Sequence, residues 1–537
     1  MIEKILKNAP DSWEVVELNE IGLINPKIEK SLYEDNKVCS FVPMSAVEAE
    51  SGRIDVSETR LFSQVKKGFT PFFERDVLFA KITPCMENGK VAVVPKLIGD
   101  LGFGSTEFHV VRPYSYINES YIFYYLVSQV FRYEAERNMT GAVGQRRVPA
   151  PWLSSVKIPL PPQKEQQRIV EKVEELFSEL DKGIESLKKA KQQLVVYRQA
   201  LLKQAFEGKL TEQWREENVD KLQSPEDMLS MIKHEREARY QKQLEEWELN
   251  VANWESEGKK GKKPSKPRKG KAFSDVLPNN LSNLPKSWKW ERLGNLIDGT
   301  PQNGIYKPAS DYGKGTYIVR IDDFYDGQLI KKSDFKRLNL DDEELKKYQV
   351  EPNDVLVNRV NSIEYLGKCC SMPNDINESI VFESNIMKFK VLSGYLNEDY
   401  LTKFISSQMG KGLICSNAKH AVNQASINQT DVGMTPIPLC SIAEQRKINE
   451  KLDEKFSLMD TCLQEINMNL NKADLLRQSI LKKAFSGQLI SQDSEDESTS
   501  ELLKKIAIEK EEIAEKEIAD KAVARKKKST AKKTVKS

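Results

Sequence analysis

The sequence predicts an α/β (α+β) chain in which two globular domains are joined by two long helices that pair as an antiparallel coiled coil. The whole is a pseudo-two-fold repeat. Three observations predict it: a gapless internal repeat, a heptad seam inside each copy of that repeat, and short β-rich runs ahead of each copy.

Residues 158–210 laid over 437–489 match at 20 of 53 positions without a gap, far beyond coincidence. Each copy opens on Ile-Pro-Leu followed by Glu-Gln: Ile158-Pro159-Leu160 with Glu165-Gln166, and Ile437-Pro438-Leu439 with Glu444-Gln445. Each closes on nearly the same words, RQALLKQAFEGKL and RQSILKKAFSGQL. Between these ends apolar residues recur every seven positions. The seam is Val173, Leu180, Leu187, Leu194 and Leu201 in the first copy, and Leu452, Met459, Ile466, Ala473 and Ile480 in the second. Leu176, Phe177, Ile184, Ala190 and Tyr197 form a second track. Pro161-Pro162 and Pro438 precede the helices, and Gly208 and Gly487 stand where a C-terminal stop belongs.

The repeat continues upstream more faintly. PDSWEVVEL (Pro10 to Leu18) answers PKSWKWERL (Pro285 to Leu293), and DVLFAKI (Asp76 to Ile82) answers DVLVNRV (Asp354 to Val360), with Gly89-Lys90 and Gly367-Lys368 following. The predicted order is a domain over 1–157, a helix over 158–210, a charged helical extension over 211–257 and a basic Lys/Pro linker over 258–275. A second domain over 276–436, a second helix over 437–490 and a charged, partly disordered tail over 491–537 complete it. The extension and the linker show no counterpart elsewhere in the chain, and the linker and the tail read as solvated tethers or, more sharply, as phosphate contacts.

Composition narrows function by exclusion. The 82 Lys+Arg nearly balance 80 Asp+Glu, so local clusters matter more than the net charge of +2. No run approaches the roughly 18 apolar residues of a membrane span, and the N-terminus lacks a signal peptide's apolar stretch, so a cytoplasmic protein without membrane contact is expected. Seven scattered cysteines without CxxC spacing, beside three histidines, predict free thiols and neither a metal site nor a disulfide framework.

Catalytic signatures are missing. A phosphate loop needs Gly-Lys followed by Ser or Thr, and Gly89-Lys90-Val91, Gly208-Lys209-Leu210 and Gly367-Lys368-Cys369 all fail there. The only Pro-Pro pair lies between Leu160 and Gln163, away from any adenine methyl-transfer tetrapeptide. Asp11 with Asp35 and Lys37 could be written as a nuclease metal site, but the second copy has Lys286 in place of Asp11. His109, after Gly104 to Glu107, reads as a structural histidine rather than a catalytic base. No catalytic residue is assigned.

Taken together, DVLFAKITPCMENGK (Asp76 to Lys90), GSTEFHVVRP (Gly104 to Pro113), IPLPPQKEQQRIVEKVEELF (Ile158 to Phe177) and LLKQAFEGKL (Leu201 to Leu210) resemble the specificity subunits of type I restriction-modification systems. The resemblance implies two target recognition domains that each read one part of a split, asymmetric duplex DNA sequence. It implies partners as well: two methyltransferase subunits directing adenine N6 methylation and two motor-nuclease subunits. S-adenosylmethionine, ATP and magnesium would be used by those partners, with no cofactor on this chain. Candidate DNA contacts are Lys81, Thr83, Ser105, Thr106, Gln145, Arg146 and Arg147 in the first domain. In the second they are Arg359, Asn361, Asn385, Gln424 and Asn428. The other readings are a non-catalytic coiled-coil scaffold and a single-chain restriction endonuclease.

Overall fold

Each head begins and ends where two distant stretches of chain lie side by side. In the computed structural model, which describes residues 2–515 except 143, 268, 270–272, 275, 280, 326, 331–334, 377 and 423, strand Glu14–Glu17 pairs antiparallel with Lys157–Leu160. Strand Lys289–Arg292 pairs the same way with Pro436–Leu439. The prolines of both Ile-Pro-Leu words sit in these two-stranded ribbons, where a missing N–H costs little at an edge.

The chain divides into two compact units, 1–188 with 466–537, and 189–465. The first contains a four-stranded sheet in the order Gly22–Ile24, Phe108–Pro113, Val77–Ala80, Val91–Val93. A second four-stranded sheet runs Thr59–Leu61, Val38–Val42, Gly102–Gly104, Thr70–Phe72, with one parallel pairing, Ser40 opposite Gly102. The other unit repeats the first sheet as Ile297–Asn303, Ile386–Val391, Val355–Asn358, Cys369–Ser371. Its second sheet has three strands, Lys336–Leu338, Tyr312–Val319 and Ile380–Phe382, again with one parallel pair. The all-buried runs Val77–Ala80, predicted as β-rich, and Val355–Asn358, its repeat, are interior strands of the two sheets.

Two 44-residue helices, the central Gln163–Phe206 and the distal Ile442–Phe485, carry the repeat. The start of each packs against the end of the other, antiparallel. In the first unit Arg477 stacks on Phe177 (4.6 Å to the ring centre) and pairs with Asp181. In the second Arg198 stacks on Phe456 (4.0 Å), and Lys451 Nζ reaches the Leu210 carbonyl. Val173, Leu201, Leu452, Met459 and Ala473 are buried, while Leu180, Leu187, Leu194, Ile466 and Ile480 are half-buried. Tyr197 departs from the expected second track. It is exposed, as are Val195 and Val196, because the packed stripe there runs through Leu194 and Arg198 instead.

Two further sequence expectations are corrected. The extension and the tail are counterparts: Ser224 caps helix Pro225–Ser256 by accepting from Asp227 N, and Ser498 accepts from Glu501 N at the start of the helix over 499–515. Met228 and Ile232 then enter the core of the second unit as Leu502 and Ile506 enter that of the first. The linker is not a free tether either, since Trp247 and Trp254 of the insert helix Pro225–Ser256 donate their indole N–H to the carbonyls of Pro264 and Gly261. The basic tail from Arg525 to Lys536 lies outside the described residues.

Candidate nucleic-acid interface

The fastening of each head to its helix explains the repeated words. Trp13 Nε1 donates to Glu165 (3.0 Å) and Trp288 Nε1 to Glu444 (2.9 Å). Gln166 accepts from Asn118 N and donates to the Pro161 carbonyl; Gln445 accepts from Asn397 N and donates to that of Cys440. Tyr121 and Tyr400 each donate to the proline carbonyl of Ile-Pro-Leu, at 2.7 Å in both units. At the other helix end, Phe485 packs edge-on against Tyr121 and Tyr125, and Phe206 against Tyr400 and Phe404. The Gln of each Arg-Gln pair takes a helix N–H, Gln478 from Gln129 and Gln199 from Gln408. These residues hold the heads and leave their loops free.

In the first head the strand Val77–Ala80 runs on into Lys81, which is clamped on both sides. Its N–H donates to the Glu107 carbonyl (2.9 Å) and its own carbonyl accepts from Val148 N (2.9 Å). Arg147 lies on the third segment, exchanging two backbone hydrogen bonds with Thr140, and Thr83 N donates to the Arg146 carbonyl. Lys81, Thr83, Arg146 and Arg147 therefore converge. Arg147 makes a bidentate pair with Glu107 (2.8 and 2.9 Å), which holds the Glu107 carboxyl below its ordinary range. Arg146 stands 3.5 Å from both Glu87 and Glu136, and Thr83 Oγ1 donates to Glu87. Burial pushes the half-buried Lys81 ammonium down, with Glu107 opposing the shift.

Gln145 is exposed on the loop that precedes these arginines, and its carbonyl accepts from Arg147 Nη1. Ser105 Oγ accepts from Glu107 N, so its side chain shapes the turn, while Thr106 is exposed on that turn. His109 lies underneath, buried, with Nε2 on the Val148 carbonyl (2.8 Å) and Nδ1 against Asn25. It is a structural strut between strand and loop.

The second head repeats this frame with different chemistry. Arg359 N donates to the Asn385 carbonyl and Ile427 N to that of Arg359, the positions of Glu107 and Val148 relative to Lys81. Strand Val360–Asn361 pairs with Gln424–Ser426, which pairs with Lys419–Ala421, making a three-stranded ribbon with an open tip. Arg359 Nη1 donates to the Ser384 carbonyl, while its Nε is buried without a partner. Asn361 accepts from Ser362 N, and Gln424 is exposed. Asn428 is set apart, because its side chain caps a short helix by accepting from Thr430 N and Asp431 N.

Sequence reasoning missed the carboxylates Glu87, Glu107 and Glu136 that hold the arginines. It also missed the hairpin tip, where Val422 is 92% exposed. A signal was present, the paired words Ala142-Val143-Gly144-Gln145 and Ala421-Val422-Asn423-Gln424, each closing on a predicted contact. The Gly-Lys pairs proved structural instead: Lys90 Nζ donates to the Met44 carbonyl, and Lys368 to that of Ile321 beneath the ring of Tyr325.

Two heads of one plan, each presenting a loop ribbon rich in Arg, Lys, Asn and Gln, and each bolted by the same words to a shared helix pair, define a duplicated recognition subunit. Comparison with known proteins agrees. Residues 10–193 match the type I restriction modification DNA specificity domain. The chain is 28% identical to the type I restriction enzyme EcoEI specificity subunit of Escherichia coli, over 84% of this chain and 79% of that one. It is likewise 28% identical to the EcoAI specificity subunit of the same organism, over 84% and 78%. The fold is shared with a chain from a type I restriction-modification assembly (TM-score 0.64, 20% identity, 90% and 99% of the two chains). It is also shared with the HsdS subunit from Thermoanaerobacter tengcongensis (TM-score 0.51, 19% identity, 90% and 98%). Residues 10–193 thus carry the type I restriction modification DNA specificity domain, and most of the chain is similar to type I restriction enzyme specificity subunits. No helix among the described residues is long and apolar enough to cross a membrane.

Proposed function

We propose that this chain reads a bipartite, asymmetric duplex DNA sequence for a type I restriction-modification complex, and performs no chemistry itself. One observation carries the reading: the same loop frame recurs in both heads with unlike side chains. Lys81, Glu107 and Arg147 stand in one, and Arg359, Asn385 and Ser426 hold the corresponding backbone positions in the other. A repeated frame supplies two readers; different side chains give them different bases to read. The site is asymmetric for that reason.

Arg147 in its carboxylate clamp is pre-oriented and exchanges Glu107 for a guanine edge or a phosphate on binding. Arg359, with a buried Nε left unpaired, gains from any acceptor brought to it. Two methyltransferase subunits would carry S-adenosylmethionine and methylate adenine N6, and two motor-nuclease subunits would use ATP and magnesium. The chain itself would bind none of these. The test is reconstitution with the methyltransferase subunits, followed by methylation mapping on a plasmid library. One split motif with unlike halves is expected; methylation without sequence preference, or turnover by the isolated chain, overturns the reading.

A further inference from the structure

The insert helix Pro225–Ser256 and the Lys/Pro run that follows it form a hairpin with a regular internal match. The proximal half of the helix docks on the second head. Met228 and Ile232 are buried there, Arg236 donates to the Gly294 carbonyl and Asn295, and Arg239 pairs with Asp298. Beyond that point Tyr240, Leu244, Trp247, Val251 and Trp254 continue an apolar stripe at alternating spacings of four and three.

The chain reverses through Gly258, Lys259 and Gly261, all at positive φ, and returns along that stripe. Lys263 then lies over Trp254, Lys266 over Trp247 and Lys269 over Tyr240, at 5.9, 5.5 and 5.6 Å from the ring centres. The aromatic rungs are seven residues apart on the helix and the lysines three apart on the strap. Seven helical residues rise about 10.5 Å, and three residues of an extended proline-rich strand rise about 9.3 Å. The two repeats stay in step for three rungs, and Pro264 and Pro267 favour that extended strand.

The consequence is that Lys263, Lys266 and Lys269 are each seated against an aromatic ring, with Lys260 and Lys262 at the turn. From Lys259 to Lys271 the sequence has seven lysines, one arginine and no carboxylate. Lys269 pairs with Glu237 at 2.8 Å, whereas Lys260, Lys262, Lys263 and Lys266 are exposed and join no ion pair among the described residues. An aromatic face steadies a lysine stem without consuming its N–H donors.

We propose that this hairpin is a preformed, sequence-independent arm for the phosphate backbone of duplex DNA, acting beside the base-reading loops. The proposal rests on the DNA-reading function above and adds a second, non-specific contact to it. A strap already ordered on the helix gives up little freedom when it meets phosphates, and each neutralised phosphate releases counterions.

The test compares the full-length chain with a variant in which Lys260, Lys262, Lys263 and Lys266 are all replaced by Gln. Binding to random-sequence duplex DNA is followed by fluorescence anisotropy across a salt series. The slope of log K against log salt should become shallower by about 2 to 4, and low-salt affinity should fall at least about tenfold. In a second variant, Trp247→Ala, all lysines remain but a rung is lost. Tryptic cleavage within 259–269 should speed up, and affinity should fall with little change in slope. An unchanged slope and affinity in the lysine variant overturn the proposal. So does a variant that binds DNA normally but no longer assembles with the methyltransferase, which would make the strap a protein contact. A wild-type chain showing no salt-dependent DNA binding at all would instead overturn the underlying function.

Discussion

Trp288 and Glu444, 156 residues apart, meet through a buried hydrogen bond of 2.9 Å, and the first copy repeats it with Trp13 and Glu165 at 3.0 Å. The two bonds differ in their surroundings. Glu444 also accepts from Thr211 Oγ1 (2.8 Å) and faces the Arg215 guanidinium at 3.3 Å, whereas Glu165 keeps one buried oxygen without a partner.

Burial raises the pKa of both carboxyls, and the indole bond opposes the shift. A carboxyl raised in the folded state contributes stability below its unfolded value, and that contribution is lost as pH rises through the folded value. At neutral pH each buried charge is therefore a cost that its partners offset. Glu165→Gln, which keeps an acceptor for Trp13, should change stability by less than about 1 kcal/mol and flatten its dependence on pH above the carboxylate range. Glu444→Gln takes the carboxylate from the half-buried Arg215, leaving it the Gly208 carbonyl, and should cost about 1–3 kcal/mol at neutral pH. Urea unfolding at mildly acidic and neutral pH measures both; equal effects would contradict this account.

Gly208 and Gly487 should tolerate no side chain. Both have positive φ (+75° and +67°), and an added Cβ would lie 2.3 Å from Pro285 Cγ in one case and 2.2 Å from Pro10 Cγ in the other. Ala at either position should cost about 1–2 kcal/mol for the backbone alone, with more from displacing the proline. Thermal unfolding of each single variant checks it. The prolines of the two PxSW words and the glycines that end the helices thus belong to one joint.

His109 gives the first head a sensitivity to acid that the second should lack. Burial lowers its pKa below the usual 6.5, with the Val148 hydrogen bond opposing. A depressed histidine contributes stability above its unfolded value, lost as pH falls through the folded one. Below about pH 6.5 the loop over 140–148 should loosen. Met387, which pairs with Val357 as His109 pairs with Phe79, does not titrate. Amide exchange at Val148 and Ile427 as pH is lowered separates the heads. His109→Met should remove the difference.

Much of this joint was legible because duplication wrote it twice. Glu165-Gln166, Trp13, Arg198-Gln199 and the Gly stops each appear in both copies, so their contacts could be anticipated as shared structure. The extension and tail escaped because they share only a capping serine and two apolar positions after gaps of unequal length. The strap escaped for another reason. A Lys/Pro/Gly run has no apolar side chain of its own, and its order comes from aromatic rungs on a different segment. Charged pairs such as Arg147 with Glu107 lie 40 residues apart and carry no local pattern at all.

Arg477 and Phe177 should be coupled across the helix pair. Phe177→Ala and Arg477→Ala each remove one side of the stack, and Arg477 also loses Asp181. A double-mutant cycle should give about 0.5–1 kcal/mol of interaction. Leu187→Asp, at a half-buried seam position, should weaken the pairing less than Leu201→Asp, whose site is buried. Chemical denaturation of the four chains of the cycle and of the two seam variants decides both points, and equal losses at 187 and 201 would mean that seam burial does not set the strength of pairing.

The paired strands at the base of each head fix where a head can be exchanged. Chain enters the first head through Glu14–Glu17 and leaves through Lys157–Leu160, with Val15 opposite Pro159 and Leu18 N bonded to the Val156 carbonyl. A cut after residue 157 would divide the exit strand from its partner, so the exchange should span residues 18–156. Both strands then stay native, along with Trp13, Glu165 and the Ile-Pro-Leu carbonyls. Residues 293–435 are the equivalent module in the second head, because Leu293 N meets the Thr435 carbonyl in the same way. If Lys81, Arg146 and Arg147 read one half of the target while Arg359, Asn361 and Gln424 read the other, replacing 18–156 with a related head should change one half of the methylated motif. The other half should persist, since its loop frame is untouched, and so should the spacing, since neither helix changes length. Methylome sequencing gives the answer directly; a motif altered in both halves would show that the heads read DNA as one surface.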